Sequence, residues 1–134
     1  MDWSHISAKS AKWLDRSFSE EEIHNAMLHL NKEKAPSLDG FTITFYQECL
    51  ETFYYDLLRV FLKFHNNGVI NQSTNATFIA LVQKKSQTNR ISGYRPISLV
   101  TSLYKIIAKV LSGWLHNVLQ DTIFLTQGAF VEGR

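Results

Sequence analysis

A single cysteine, Cys49, excludes an internal disulfide and leaves no disulfide partner to expect. It points to an intracellular, reducing compartment. Long apolar runs are also missing. The longest, Phe78 to Val82, is far too short to cross a bilayer. The opening stretch MDWSHISAKS lacks the basic-then-apolar order of a signal peptide, so no membrane partner is expected. Without such a signal, the sequons at Asn71 and Asn75 read as chance matches.

Several catalytic signatures are absent as well. No two of the histidines, His5, His24, His29, His65 and His116, stand at the helical i, i+4 spacing of a metal pair. There is no glycine-rich phosphate loop and no serine in a nucleophile elbow. Asp2, Asp15, Asp39, Asp56 and Asp121 are scattered, and no local motif supplies the converging carboxylates of two-metal chemistry. Glu20, Glu21 and Glu22 stand together, but at a helix start the helix dipole explains them better than catalysis does.

Acidic residues are missing from a long stretch. From Gly68 through Gln120 there is none, while Lys84, Lys85, Arg90, Arg95, Lys105 and Lys109 fall within it. Residues 1–67 hold seven Lys/Arg and ten Asp/Glu; residues 68–134 hold seven and two. The net charge of +2 therefore conceals balances of −3 and +5. Such asymmetry fits a polyanion partner for the second half. It also fits acids of the first half folding over to neutralise these bases.

What is present suffices for one packed domain: 134 residues, 45% hydrophobic and 13% aromatic. In FSEEEIHNAMLHL, Ser19 and Glu22 form a capping box, Phe18 and Ile23 a staple, and Ile23, Ala26, Met27 and Leu30 an apolar stripe. Pro36 and Asp39-Gly40 mark a break. A second helix is expected from about Thr42 to Phe64, burying Phe45, Cys49, Phe53, Leu57, Val60, Phe61 and Phe64, with Gly68 or an asparagine as its left-handed cap. ATFIALVQKK reads as a buried strand and YRPISLV as a second extended segment, the two forming a hairpin-like pair. Pro96 suits an edge. A third helix, about Thr101 to Leu119, carries Leu103, Ile106, Ile107, Val110, Leu111, Trp114, Leu115 and Val118 as its stripe and is expected to pack on the strands. Its other face carries Lys105, Lys109, Ser112 and His116, either solvated or turned toward nucleic acid. The fold class is thus α+β and helix-dominated, with a short β-hairpin and long helices.

Four stretches in register carry a resemblance: FSEEEIHNAMLHLNKEKAPSLDGFTITFYQ, NATFIALVQKK, GYRPISLVTSLYKIIAKVLSGWL and TQGAFVEGR. From about Phe18 to Arg134 the chain resembles the N-terminal portion of the reverse transcriptase of non-LTR (LINE-type) retrotransposons, most closely those of plants. The resemblance implies an N-terminal extension over 1–17 and a partial reverse-transcriptase domain, fingers and start of palm, over 18–134. It implies that Lys84, with Lys85 beside it, and Arg95 face the phosphates of an incoming nucleotide. It also implies that Gln127, Gly128 and Phe130 lie near the template and primer path. RNA or an RNA/DNA hybrid would be the partner.

Two positions depart from the family pattern. Ser37 replaces a glycine before the Asp-Gly turn, where positive φ would strain a serine. Gln83 replaces a proline before the fingers lysine. The family's catalytic carboxylates lie in motifs beyond QGAFVEGR. The chain as given is therefore expected to be inactive alone, with no catalytic residue and no cofactor of its own, Mg²⁺ belonging to the complete domain. A nucleic-acid-binding module acting by electrostatic contacts and a structural remnant without function stand as alternatives. For Arg95, a phosphate grip competes with an ion pair to Asp39 or Glu33.

Overall fold

The computed structural model describes residues 5–72, 74 and 76–122. Five helices and one hairpin follow in the order α1 (Ala8–Leu14), α2 (Glu20–Leu28), α3 (Ile43–Glu48), α4 (Leu50–Asn67), β1 (Thr77–Gln83), β2 (Tyr94–Val100) and α5 (Ser102–Thr122). The helix-dominated mixture expected from the sequence is observed, with a two-stranded antiparallel sheet.

Local signals set most helix starts. At α2 the Ser19 hydroxyl accepts from the Glu22 N–H at 3.2 Å, and the Glu22 carboxylate accepts from the Ser19 N–H at 3.0 Å, completing the capping box. Thr42 caps α3 by accepting from the Phe45 N–H, and Gly68, at φ 65°, closes α4 in the left-handed region. Thr101 accepts from the Tyr104 N–H at the start of α5 and donates to the Thr74 carbonyl at 2.6 Å.

The core lies among α2, α4 and α5. Ile23, Ala26 and Met27 meet Leu50, Leu57 and Phe61 and the α5 stripe of Ile106, Ile107, Val110 and Trp114. Phe18 stacks on Trp114 at 4.5 Å and meets Phe61 edge-on at 5.0 Å. Residues 8–16 join this core. Trp13 and Leu14 pack against it, the Trp13 and Trp114 rings meet at 5.6 Å, and the Arg16 guanidinium lies over both, 4.6 and 4.7 Å from their centroids. Arg16 also pairs with Glu22, whose carboxylate accepts the Trp114 indole N–H at 2.9 Å.

Four expectations are corrected. The helix expected from Thr42 to Phe64 breaks at Cys49 (φ −95°, ψ 12°) into α3 and α4. The break separates two tasks. In α3, Gln47 reaches back to the C-terminus of α2, donating to the carbonyls of Met27, Leu28 and Leu30 at 2.9 to 3.1 Å. The Met27 carbonyl also accepts from the Leu30 N–H at 3.3 Å, whereas those of Leu28 and Leu30, past the last full turn, depend on Gln47. In α4 the buried phase becomes Leu50, Leu57 and Phe61, while Phe45 stays exposed.

The strand read as buried is the second correction. Phe78, Ile79 and Leu81 are 66%, 72% and 65% exposed, because no helix covers either face of β1. Third, α5 packs on α2 and not on the strands, which contribute nothing to the buried core. Its stripe is correspondingly narrower, with Leu111 and Leu115 left exposed.

Fourth, Ser37 is not strained. The left-handed residues of this turn and its surroundings do not include it; Gly40 holds the positive φ of 80°. Ser37 is buried instead, and its hydroxyl accepts from Ser102 at 2.8 Å and from the Lys105 ammonium at 2.9 Å.

Candidate nucleic-acid interface

Four of the six basic residues of the acid-free stretch, Lys84, Lys85, Arg90 and Arg95, lie toward the free end of the hairpin, while Lys105 and Lys109 are carried by α5. Antiparallel register sets Val82 opposite Arg95 and Gln83 opposite Tyr94. One more ladder bond follows, from the Lys84 N–H to the Gly93 carbonyl at 2.8 Å. Because opposed residues share a face, Arg95 and Val82 emerge on the side that carries Ile97 and Leu99, and Tyr94 with Gln83 on the other.

The loop between the strands is built tightly. The Tyr94 hydroxyl donates to the Thr88 carbonyl and accepts from the Gln83 amide, both at 3.2 Å. Gln83, where the related pattern has proline, thus becomes a cross-strand tie. Gln87 takes a left-handed φ of 62°. Thr88 crowds Gly93 so closely that a Cβ there would fall 1.8 Å from the Thr88 hydroxyl oxygen. The result is a hollow of about 570 Å³ lined by Lys84, Lys85, Thr88, Arg90 and Ser92 among others, with no carboxylate in its wall.

The cations at this end are held differently. Lys84 is tethered across the hairpin, its ammonium donating to the Ser92 carbonyl at 3.0 Å. Two of its three donor hydrogens remain for a ligand. The side chains of Lys85, Arg90 and Arg95 are exposed and have no hydrogen-bond or ion-pair partner among the described residues. Arg95 is not paired with Glu33 or Asp39. The Asp39 carboxylate is engaged elsewhere, accepting from the Tyr46 hydroxyl at 3.0 Å, the Phe41 N–H at 3.1 Å and the Ser102 N–H at 3.3 Å. Gln127, Gly128 and Phe130 lie outside the described residues.

No protein-family model matches the chain. A curated relative does: the Transposon TX1 uncharacterized 149 kDa protein of Xenopus laevis, 32% identical over 129 residues, which is 96% of this chain. The chain is related to a transposon protein. It spans about 10% of that relative's length.

Sequence reasoning missed one polar cluster. The turn at Ser37–Gly40 docks on the start of α5, where Ser37 meets Ser102 and Lys105, and Asp39 meets the Ser102 N–H. Asp39 places negative charge at the helix N-terminus, where the dipole favours it. Burial, then the hydrogen bond and charge of Asp39, push the Tyr46 phenol up to about 12. The Asp-Gly signal identified the turn, but nothing local named a partner 63 residues away.

Among the described residues no three His, Cys, Asp or Glu side chains converge to hold a metal ion. No described helix is long and apolar enough to cross a membrane.

Proposed function

We propose that residues 18–134 are the fingers and start of the palm of a non-LTR retrotransposon reverse transcriptase, and that the free end of the hairpin grips phosphate groups of a nucleotide or RNA. The observation that carries this reading is the set of exposed cations, Lys85, Arg90 and Arg95, left without carboxylate partners beside the tethered Lys84. Relatedness to a transposon protein supports the origin. In nucleotidyl transfer, positioned lysine and arginine neutralise phosphate charge and align the reacting groups. Arg95 is suited to that task. Pro96 restricts the backbone beside it, and Tyr94, tied to Thr88, anchors the other side. A guanidinium offers a planar fork to phosphate oxygens, whereas Lys84 and Lys85 act as point charges.

The test is binding of single-stranded RNA over a range of salt concentrations. Each neutralised phosphate contributes roughly −0.7 to the slope of log affinity against log salt. Arg95→Ala is expected to weaken binding to all sequences alike and to flatten the slope by less than about one unit. An unchanged affinity and slope, with a lowered unfolding temperature, would assign Arg95 to the fold and defeat the phosphate reading.

A further inference from the structure

We infer that the open edge of β2, with the cleft beside it, docks an extended peptide segment of a partner protein, alternately apolar and acidic, which adds to the hairpin as a third strand. The Lys84–Gly93 bond marks the ladder's phase. Hydrogen-bonded and non-bonded pairs alternate in an antiparallel ladder. With the observed register, residues 95, 97 and 99 bond across to β1, and residues 94, 96, 98 and 100 direct their backbone groups outward. Pro96 falls at an outward position, where its missing N–H removes no ladder bond. The outward N–H and C=O groups of Ser98 and Val100 meet no partner among the described residues.

A cleft of about 630 Å³ runs along this edge. Ile97, Ser98, Leu99 and Val100 line it consecutively, which requires it to follow the strand's edge as well as one face. Leu30, Ile43, Tyr104 and Ala108 form its apolar wall, and Lys34, Lys105 and Lys109 stand around it with no carboxylate. Lys105 is engaged by Ser37, whereas Lys34 and Lys109 have no described partner.

These features select the occupant. The edge presents donors and acceptors alternately along a line, which a peptide backbone matches at every second residue. A phosphodiester backbone offers acceptors only. A second copy of this chain, pairing edge to edge, would bring its own lysines toward these. Apolar side chains entering the cleft, with carboxylates near Lys34 and Lys109, satisfy the wall and the charges together.

The experiment uses the 134-residue chain and a fluorescent synthetic peptide of about nine residues alternating valine with glutamate. Anisotropy is expected to saturate, and amide exchange at Ser98 and Val100 to slow by about 10-fold or more. The double change Lys34→Glu, Lys109→Glu is expected to weaken binding by about 5-fold or more with unchanged circular dichroism. Arg90→Ala, in the loop before the strand and outside this cleft, should leave peptide binding intact, which separates this site from the phosphate site. Four results would overturn the inference. They are no saturation at millimolar protein, equal binding by a peptide N-methylated at alternate residues, displacement by equimolar single-stranded RNA, and protection of the same amides by self-association without peptide.

Discussion

Ser37 and Asp39 tie the first half of the chain to the second through three hydrogen bonds, Ser37 with Ser102 and Lys105 and Asp39 with the Ser102 N–H, while Asp39 also accepts from Tyr46 in its own half. Ser37→Ala leaves the buried Ser102 hydroxyl without its partner, and a loss of about 1–3 kcal/mol in denaturant unfolding is expected. Asp39→Asn removes the charge that helps hold the Tyr46 phenol protonated, so spectrophotometric titration should show a phenol moving from about 12 toward its ordinary 10.0. Because that folded-state value lies above the unfolded one, the stability it confers is complete below pH 10.0 and is lost as pH rises through about 12. Glu22 has the opposite sign. Burial pushes its carboxyl up, but Arg16, the Ser19 N–H and hydroxyl, and the Trp114 indole outweigh it and hold the group at about 2. Its contribution is present above pH 4.5 and is lost as pH falls through about 2. An acid titration of Glu22→Gln should lack that part of the stability loss.

At the scale of elements, the hairpin and the helices differ in what holds them. The helices share a core centred on Phe61, Met27, Ile106 and Ile107. The hairpin is stabilised by its own ladder and by the packed loop at its tip, and a two-stranded sheet without a covered face is marginal alone. Gly93 is the sensitive point of that loop, because Thr88 fills the space a side chain would need. Gly93→Ala is expected to loosen the hairpin end, raising amide exchange at Lys84 and Tyr94 while leaving the helical signal unchanged, at a cost of about 1–3 kcal/mol from overpacking. If exchange at those amides stays slow, the tip is not the hairpin's anchor. The break at Cys49 belongs to the same scale. It frees Gln47 to close the end of α2, and Gln47→Ala should destabilise the chain by about 1–3 kcal/mol through the carbonyls of Leu28 and Leu30 that it leaves without a donor.

Across the whole molecule, charge and apolar surface are distributed unevenly. Among the described residues no acid of the first half pairs with the cations of the hairpin end; Glu20, Glu21 and Glu22 stand at the start of α2, and Glu22 and Asp39 serve the Arg16 and Ser102 clusters. Phe78, Ile79, Leu81 and Ile91 give the hairpin an exposed apolar surface next to those cations. Such a surface signals contact with other chains or segments. The expected consequence is an unequal opening: native-state exchange should release the β1 and β2 amides at lower free energy than the amides of α2, α4 and α5. Uniform protection across both parts would contradict it.

The sequence by itself determined features whose causes lie within a few residues. The capping box at Ser19 and Glu22, the left-handed cap at Gly68, the pairing of the two extended segments and the periodic stripe of α5 all depend on neighbours in the chain. The cations of the hairpin end were equally legible, since an acid-free run is a property of composition. Tertiary structure alone decided which apolar faces are covered. FIALV has the composition of a buried strand, yet burial requires another element to lie over it, and α5 lies on α2 instead. The same reason governs Ser37, Gln47 and Arg16. Each is an ordinary polar residue until folding brings Ser102, the end of α2 or a pair of tryptophan rings within hydrogen-bonding or van der Waals reach.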